Sequence, residues 1–171
     1  MATSGKNLSY YDENTLPDAS GMSIGIVVSE WNREITEGLL KGAVDTLKKL
    51  NVKEKNIHIK YVPGSFELAL GAQLLSRTNF VSGIIALGSV IQGETKHFDF
   101  VCQATTQGIM KVSIKHNLPV ILGLLTDNTL QQAIDRSGGK HGNKGIECAI
   151  ACVKMIALQE DIESTLPSKI A

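Results

Sequence analysis

A histidine that follows a glycine-containing turn offers the clearest chemistry in the sequence. Gly93, Glu94 and Thr95 come directly ahead of Lys96 and His97. Free backbone N–H groups at the start of a helix attract anions such as phosphate, because the positive end of the helix dipole lies there. An imidazole, with an ordinary pKa of about 6.5, can move protons at neutral pH. The spacing therefore favours a phosphate cradle at 93–95 with His97 as a proton shuttle beside it; the alternative is a histidine that only begins a helix.

Three other side chains could contact a small ligand. Trp31 carries a flat ring that could stack on a planar heterocycle. Glu67 ends a Pro-Gly-Ser-Phe-Glu turn and could accept hydrogen bonds from ligand hydroxyls or amines. Arg136, next to a glycine-rich turn, could clamp a phosphate with its guanidinium. Each has a plainer interpretation: a packing tryptophan, a glutamate favoured by a helix dipole, and a solvated basic face.

The sequence contains no motif for a metal, a nucleoside triphosphate or a serine nucleophile. It lacks a Walker A loop and the GxGxxG, HExxH and GxSxG patterns. The three cysteines, Cys102, Cys148 and Cys152, form no CxxC pair, and we expect all of them to be reduced thiols. Cys148 and Cys152 are four residues apart in an apolar helical pattern, which predicts two small core residues.

An alternation of strands and helices positions these residues. Short β-branched runs alternate with stretches of helical periodicity, which predicts a parallel sheet with right-handed crossovers. We predict a three-layer α/β/α sandwich of the flavodoxin-like kind, with a four-stranded parallel sheet. Such sheets bind ligands at the carboxyl ends of their strands, where Trp31, Glu67 and His97 fall. The predicted strands are 22–29, 56–62, 81–89 and 118–126; the predicted helices are 32–50, 65–76, 98–116, 130–137 and 145–159.

Length and charge narrow the class of protein. The chain has 171 residues, enough for one domain, and 43% of them are hydrophobic. The formal net charge of zero argues against nucleic acid as the main partner and leaves little repulsion between copies of the chain. We find neither a secretory leader nor an apolar run of about 20 residues, and expect a cytoplasmic protein with no membrane partner. We assign 1–21 to an N-terminal arm, 22–160 to the domain and 161–171 to a C-terminal tail.

Five motifs, in this order, resemble the 6,7-dimethyl-8-ribityllumazine synthases of riboflavin biosynthesis. The resemblance runs from about residue 23 to residue 158, and several motifs in sequence are more specific than any one alone. They are VPGSFE at 62–67, LGSVIQGETKHF at 87–98, GLLT at 123–126, QAIDRSG at 132–138 and GNKG at 142–145.

The resemblance implies an enzyme with no metal or organic cofactor. The family condenses 5-amino-6-(ribitylamino)uracil with 3,4-dihydroxy-2-butanone 4-phosphate, losing phosphate and water. By this resemblance His97 transfers protons, while Glu94, Thr95 and Arg136 bind the phosphate of the butanone substrate. Trp31 stacks on the pyrimidine ring, and the remaining contacts to the ribitylaminouracil come from Ser65, Phe66, Glu67, Ser89, Val90, Ile91, Leu122 and Lys144.

The resemblance also implies a homo-oligomer. Family members form pentamers with each pocket between two subunits, so that Leu122 and Arg136 would enter a neighbour's pocket; some pentamers assemble further into icosahedral shells. The chain departs from the family at Leu122, where phenylalanine is common, and at Gln92, where a basic residue is frequent. Two other functions remain open at this point: a carrier that holds a lumazine or flavin without turnover, and a purely structural shell protein.

Overall fold

Four parallel strands form the central sheet of the computed structural model, which describes residues 9–12 and 15–166. Their order across the sheet is β2-β1-β3-β4, so β1 and β3 are central and β2 and β4 are edges. This arrangement confirms the predicted parallel sheet. The strands are β1 (Ile24–Ser29), β2 (Ile57–Val62), β3 (Gly83–Ile91) and β4 (Val120–Asp127).

Helices cover both faces of this sheet, which confirms the three-layer sandwich. One core lies between the sheet and α1, α4 and α5; the other lies between the sheet and α2 and α3. No helix in the described part of the chain is both long and apolar enough to cross a membrane. The helices are α1 (Arg33–Lys49), α2 (Leu68–Ser76), α3 (His97–His116), α4 (Leu130–Arg136) and α5 (Lys144–Thr165).

The burial pattern explains why these segments take these forms. All six residues of β1 are buried, as expected for a central strand with helices on both faces. Edge strand β2 has no fully buried residue. Helix α1 buries the stripe that its periodicity predicted, which includes Ile35, Leu39, Ala43 and Leu47.

The glycine-rich turn contains a small hairpin that we did not predict. Strand β5 (Ser137–Gly139) pairs with β6 (Gly142–Asn143) in an antiparallel register. Gly138 and Gly142 have φ angles of 131° and 86°, a conformation that strongly favours glycine. Strands of three and two residues are too short for an alternating pattern, so the sequence read as a loop.

Helix α5 is longer than predicted at its carboxyl end. The predicted segment ended at residue 159, whereas the helix continues to Thr165 and takes in five residues that we had assigned to a C-terminal tail. Residues 160–165 contain neither glycine nor proline, and the first helix breaker is Pro167. The last five residues of the chain, 167–171, lie outside the described residues.

The described residues of the predicted N-terminal arm lie against the domain. The Ser9 hydroxyl donates to the backbone oxygen of Asn143 at 3.1 Å and accepts from its backbone N–H at 2.6 Å. Ala19 is buried and donates its N–H to the Leu50 oxygen at 3.2 Å. Residues 1–8 and 13–14 lie outside the described residues, and the division of the chain into arm, domain and tail stays a prediction.

Two of the three free cysteines lie in the core, as predicted. Cys148 and Cys152 are buried between α5 and the sheet, and Cys102 on α3 is half-buried. Burial raises the pKa of the Cys148 thiol to about 12, and burial likewise raises the pKa of Cys152. Both thiols are therefore neutral at physiological pH and pack as small apolar groups.

Candidate active site

A cavity of about 910 Å³ lies at the carboxyl ends of β1 and β3, beside the first half of α3. This is the end of a parallel sheet at which such folds bind ligands. The cavity brings together eight predicted site residues that come from four separate stretches of the chain. They are Trp31, Ser65, Phe66, Glu67, Ser89, Val90, Ile91 and His97.

Exposed aromatic rings surround the cavity. Trp31 is 71% exposed, and Phe66 and Phe100 are exposed as well. Large aromatic side chains usually bury most of their surface, so three exposed rings around one cavity favour contact with a planar or apolar ligand. Trp31 follows β1, Phe66 lies in the turn after β2, and Phe100 stands on α3, so the rings approach the cavity from three directions.

Two serines with buried hydroxyls also line the cavity. The hydroxyls of Ser65 and Ser89 are buried, and neither has a hydrogen-bond partner in the described part of the chain. Gly88 allows this close packing, because a Cβ there would lie 2.8 Å from the Ser65 Oγ. At the rim, the Glu67 carboxylate turns back towards Gly64, with its Oε2 atom 3.0 Å from the position of a Cβ there. The residues that line the cavity thus carry hydroxyl and carboxylate groups as well as aromatic rings.

His97 is the first residue of α3, and its side chain is exposed at the cavity. Its backbone N–H donates to the Thr95 hydroxyl at 3.4 Å. The sequence had placed Gly93, Glu94 and Thr95 in the opening of this helix, but they form an exposed bend ahead of it. Glu94 and Thr95 do not line the cavity, and their contact with a phosphate stays a prediction.

Besides Glu94 and Thr95, three more predicted site residues lie outside this cavity. Leu122 is on edge strand β4 and is 37% exposed, with its backbone oxygen near the Cys148 thiol at the start of α5. Arg136 and Lys144 both contact Glu147: an Arg136 Nη2 lies 3.4 Å from Glu147 Oε1, and the Lys144 Nζ lies 2.8 Å from Oε2. Sequence reasoning missed Glu147, although its position three residues after Lys144 on a helix was the available signal.

A half-buried carboxyl group, that of Asp127, lies near Arg136. Asp127 ends β4, and its Oδ2 atom is buried without a partner among the described residues. Burial raises the pKa of Asp127, while the nearby Arg136 charge opposes that shift. The Asp127 backbone oxygen accepts from the Gln92 N–H at 2.9 Å, which attaches the segment after β3 to the end of β4.

The structure adds cavity residues that the sequence analysis did not single out. Most of them share one face of α3 with His97, at the three- and four-residue spacing of a helix. That periodicity, counted from His97, was the signal that could have found them. The added residues on α3 are Phe100, Val101, Gln103, Ala104 and Gln107, and Asn32 and Gly64 come from the turns after β1 and β2.

We predict that Thr105→Val destabilises the protein by about 0.5–1.5 kcal/mol, the net contribution of one hydrogen bond. The fully buried Thr105 hydroxyl donates to the Ser65 oxygen at 3.1 Å and so attaches the turn at 65–67 to α3. Valine has nearly the same shape but removes this bond, and the Ser65 oxygen then keeps the Leu68 N–H as a donor. Urea denaturation measures the change. The control is Thr106→Val, whose exposed hydroxyl bonds only within α3, to Cys102; equal losses in the two variants would contradict the role of the Thr105 bond.

Comparison with known proteins gives the family of the chain. The sequence profile of the 6,7-dimethyl-8-ribityllumazine synthases matches residues 21–160. The chain belongs to this family. Its lumazine synthase relatives include proteins of that name from Phocaeicola vulgatus, 52% identical over 96% of this chain and 98% of the relative, and from Parabacteroides distasonis, 54% identical over 91% and 98%. A third, from Christiangramia forsetii, is 54% identical over 94% of this chain and 96% of its own length.

In this member of the lumazine synthase family, the fold brings most of the predicted site together and leaves part of it elsewhere. Eight predicted residues line one cavity of a single chain. Leu122, Arg136 and Lys144 lie on the β4, α4 and α5 side of the chain and do not line that cavity.

Proposed function

We propose that the chain condenses 5-amino-6-(D-ribitylamino)uracil with 3,4-dihydroxy-2-butanone 4-phosphate. The products are 6,7-dimethyl-8-ribityllumazine, phosphate and water, and the reaction is the penultimate step of riboflavin biosynthesis. The observation that carries the proposal is the cavity with His97 at its edge, in a chain that matches the lumazine synthase family over residues 21–160. The family supplies the reaction, and the cavity supplies groups of the types that this reaction needs.

The cavity walls suit the ribitylaminouracil substrate. Trp31, largely exposed, offers a face for the pyrimidine ring. The strand end at Ser89, Val90 and Ile91 offers backbone polar groups to the edge of that ring. The turn at 65–67 contributes the Phe66 ring, the Ser65 hydroxyl and the Glu67 carboxylate. The hydroxyl and the carboxylate can hydrogen-bond the hydroxyls of the ribityl chain.

The reaction requires orientation and proton transfer. The primary amine attacks the ketone, and a first water leaves to give an imine. Elimination of phosphate then leaves an enol, which tautomerises to a new ketone. The second nitrogen attacks this ketone and closes the ring with loss of a second water. Holding two substrates in register can contribute up to roughly 7–11 kcal/mol to the acceleration. His97 carries protons in the dehydration and elimination steps. The backbone at Glu94 and Thr95 and the Arg136 guanidinium stabilise the charge on the departing phosphate.

We further propose that the working protein is a cytoplasmic homopentamer with pockets between subunits. Leu122, Lys144 and Arg136 then enter the cavity of the neighbouring subunit. Two observations support this arrangement: all three side chains lie outside the cavity of their own chain, and the zero net charge opposes association only weakly. The short segment between Arg136 and Lys144 also leaves assembly of pentamers into an icosahedral shell open.

Incubation of the purified protein with both substrates tests the activity directly. We expect the fluorescence of 6,7-dimethyl-8-ribityllumazine to increase with time, together with release of one phosphate for each product molecule. A carrier would bind the pyrimidine substrate or the product but would release no phosphate. That result would replace the enzyme by a binding protein.

We predict that dialysis against a strong chelator leaves turnover unchanged. Within residues 9–12 and 15–166 no group of three or more histidine, cysteine, aspartate or glutamate side chains could hold a metal ion. The steps above need proton transfer and anion binding, both of which side chains and backbone N–H groups provide. The measurement is the rate of lumazine formation before and after dialysis. Loss of activity that one divalent ion restores would contradict this prediction.

A further inference from the structure

Asn32 connects two walls of the cavity through its side chain. Its backbone has φ 57° and ψ 48°, in the left-handed region, directly before the first residue of α1. An asparagine at this point commonly caps its helix, but the Asn32 side chain makes no such bond. Its Nδ2 atom instead donates to the backbone oxygen of Ser89 at 3.0 Å.

This bond lies where the regular pairing of the two central strands has ended. The last residue pair between β1 and β3 is Val28 with Leu87. Beyond it, the Asn32 amide reaches across to the Ser89 oxygen, two residues further along β3. On the opposite side of the same turn, the Glu30 N–H donates to the Val62 oxygen of β2 at 2.9 Å.

Trp31 lies between these two attachments. Its neighbours in sequence are Glu30, bonded to β2, and Asn32, bonded to β3, so the backbone that carries the ring is held on both sides. The ring itself is 71% exposed and therefore receives little support from packing. Its position relative to β3 consequently depends on the backbone, and one hydrogen bond from Asn32 fixes that backbone to the strand end that lines the cavity.

We propose that Asn32 is a positioning residue for substrate recognition, which sets Trp31 at a fixed distance from Ser89, Val90 and Ile91. The inference rests on the proposed function, in which the pyrimidine ring lies between these two walls. The left-handed backbone conformation of Asn32 contributes to this positioning. It turns the chain so that the amide points across the sheet rather than along α1, and asparagine adopts this conformation more readily than most residues.

Two substitutions test the hydrogen bond. Asn32→Asp keeps the size of the side chain but replaces the donor with an oxygen that repels the Ser89 carbonyl. Asn32→Gly keeps access to positive φ and removes the side chain. We expect each to raise KM for the pyrimidine substrate by about tenfold, the effect of one net hydrogen bond, and to change kcat much less. If Asn32→Asp does not fold, Asn32→Gly carries the test.

The matched controls are Asn79→Asp and Asn79→Gly. Asn79 is also left-handed, with φ 56°, but it is exposed in the loop before β3 and lies outside the cavity. These variants impose the same chemical change on the same backbone conformation. We expect their KM and kcat to equal those of the unmodified protein.

The substrate-free protein provides a second measurement that does not depend on the reaction. Trp31 is the only tryptophan of the chain, so its time-resolved fluorescence anisotropy reports the motion of this ring alone. We expect a larger amplitude of fast motion in both Asn32 variants and no change in the Asn79 variants. Failure of the unmodified protein to make lumazine would overturn the proposed function. The anisotropy would still test whether Asn32 restrains the motion of the Trp31 ring. Asn32 variants with unchanged anisotropy and unchanged KM, whatever their melting temperature, would overturn the positioning role.

Discussion

Replacement of His97 by alanine should lower kcat by roughly 10²–10⁴-fold, the usual contribution of a general acid or base. His97 is placed at the cavity by the first turn of α3, with its side chain exposed there. The pyrimidine ring is expected to contact Trp31, Val90 and Ile91, so the variant should still bind the pyrimidine substrate. Steady-state kinetics for kcat, and quenching of Trp31 fluorescence for binding, separate the two effects. If orientation of the substrates dominates catalysis, kcat of the variant decreases by only about tenfold.

The control for this experiment is His58→Ala. His58 lies near the amino end of β2, packs edge-on against Phe80 and hydrogen-bonds the Ser23 hydroxyl at 3.1 Å. Its removal should lower the melting temperature and leave kcat unchanged. If His97→Ala showed that same pattern, His97 would only begin its helix, and the catalytic role would be withdrawn.

Arg136→Ala should lower activity by roughly 10²–10³-fold, as expected when a group that stabilises developing negative charge is removed. We expect kcat/KM for the butanone phosphate substrate to fall, because the guanidinium faces the phosphate of that substrate in the proposed site. Arg77→Ala is the control, since Arg77 follows α2, is exposed and lies outside the cavity. Arg136→Lys tests geometry: a lysine keeps the charge but loses the two-pronged contact to phosphate, and should recover only part of the activity.

Mixed oligomers test on which side of a subunit boundary Arg136 acts. Subunits with Arg136→Ala and subunits with Glu67→Ala are each expected to be inactive. When the two kinds of subunit are mixed one to one and assemble at random into pentamers, about a quarter of the pockets would combine an intact Glu67 from one subunit with an intact Arg136 from its neighbour. Co-expression with two different tags isolates the mixed assemblies. Recovery of activity supports the shared pocket, and its absence in verified mixtures would place both residues in one subunit's site.

The sequence predicts this fold well where burial is strongest. The uninterrupted apolar run of β1 and the stripe of α1 from Ile35 to Leu47 each follow from one periodicity, and both are buried as expected. His97 was placed correctly because the strand before it, β3, sets which end of the sheet it occupies. The β5–β6 hairpin was missed because glycine-rich strands of two or three residues carry no periodic signal.

The site was predicted less completely than the fold. Asn32 follows β1 and so falls at the expected end of the sheet, but it was given no role, because an asparagine ahead of a helix usually caps it; its side chain instead bonds to Ser89 across the sheet. Phe100 was overlooked because an aromatic residue in a helix reads as core, although it is exposed at the cavity. The distance of Arg136 from its own cavity could not come from local pattern, because it depends on how α4 and the hairpin pack beside β4.

The buried thiols described above allow unfolding to be timed without any added label site. Alkylating reagents attack the thiolate, so Cys148 and Cys152, neutral and enclosed, react only when α5 separates from the sheet. Cys102, half-buried on α3, does not need that event. Intact mass spectrometry would therefore show an early gain of one adduct and a later, coupled gain of two. The rate of the second step measures how often this core opens under native conditions.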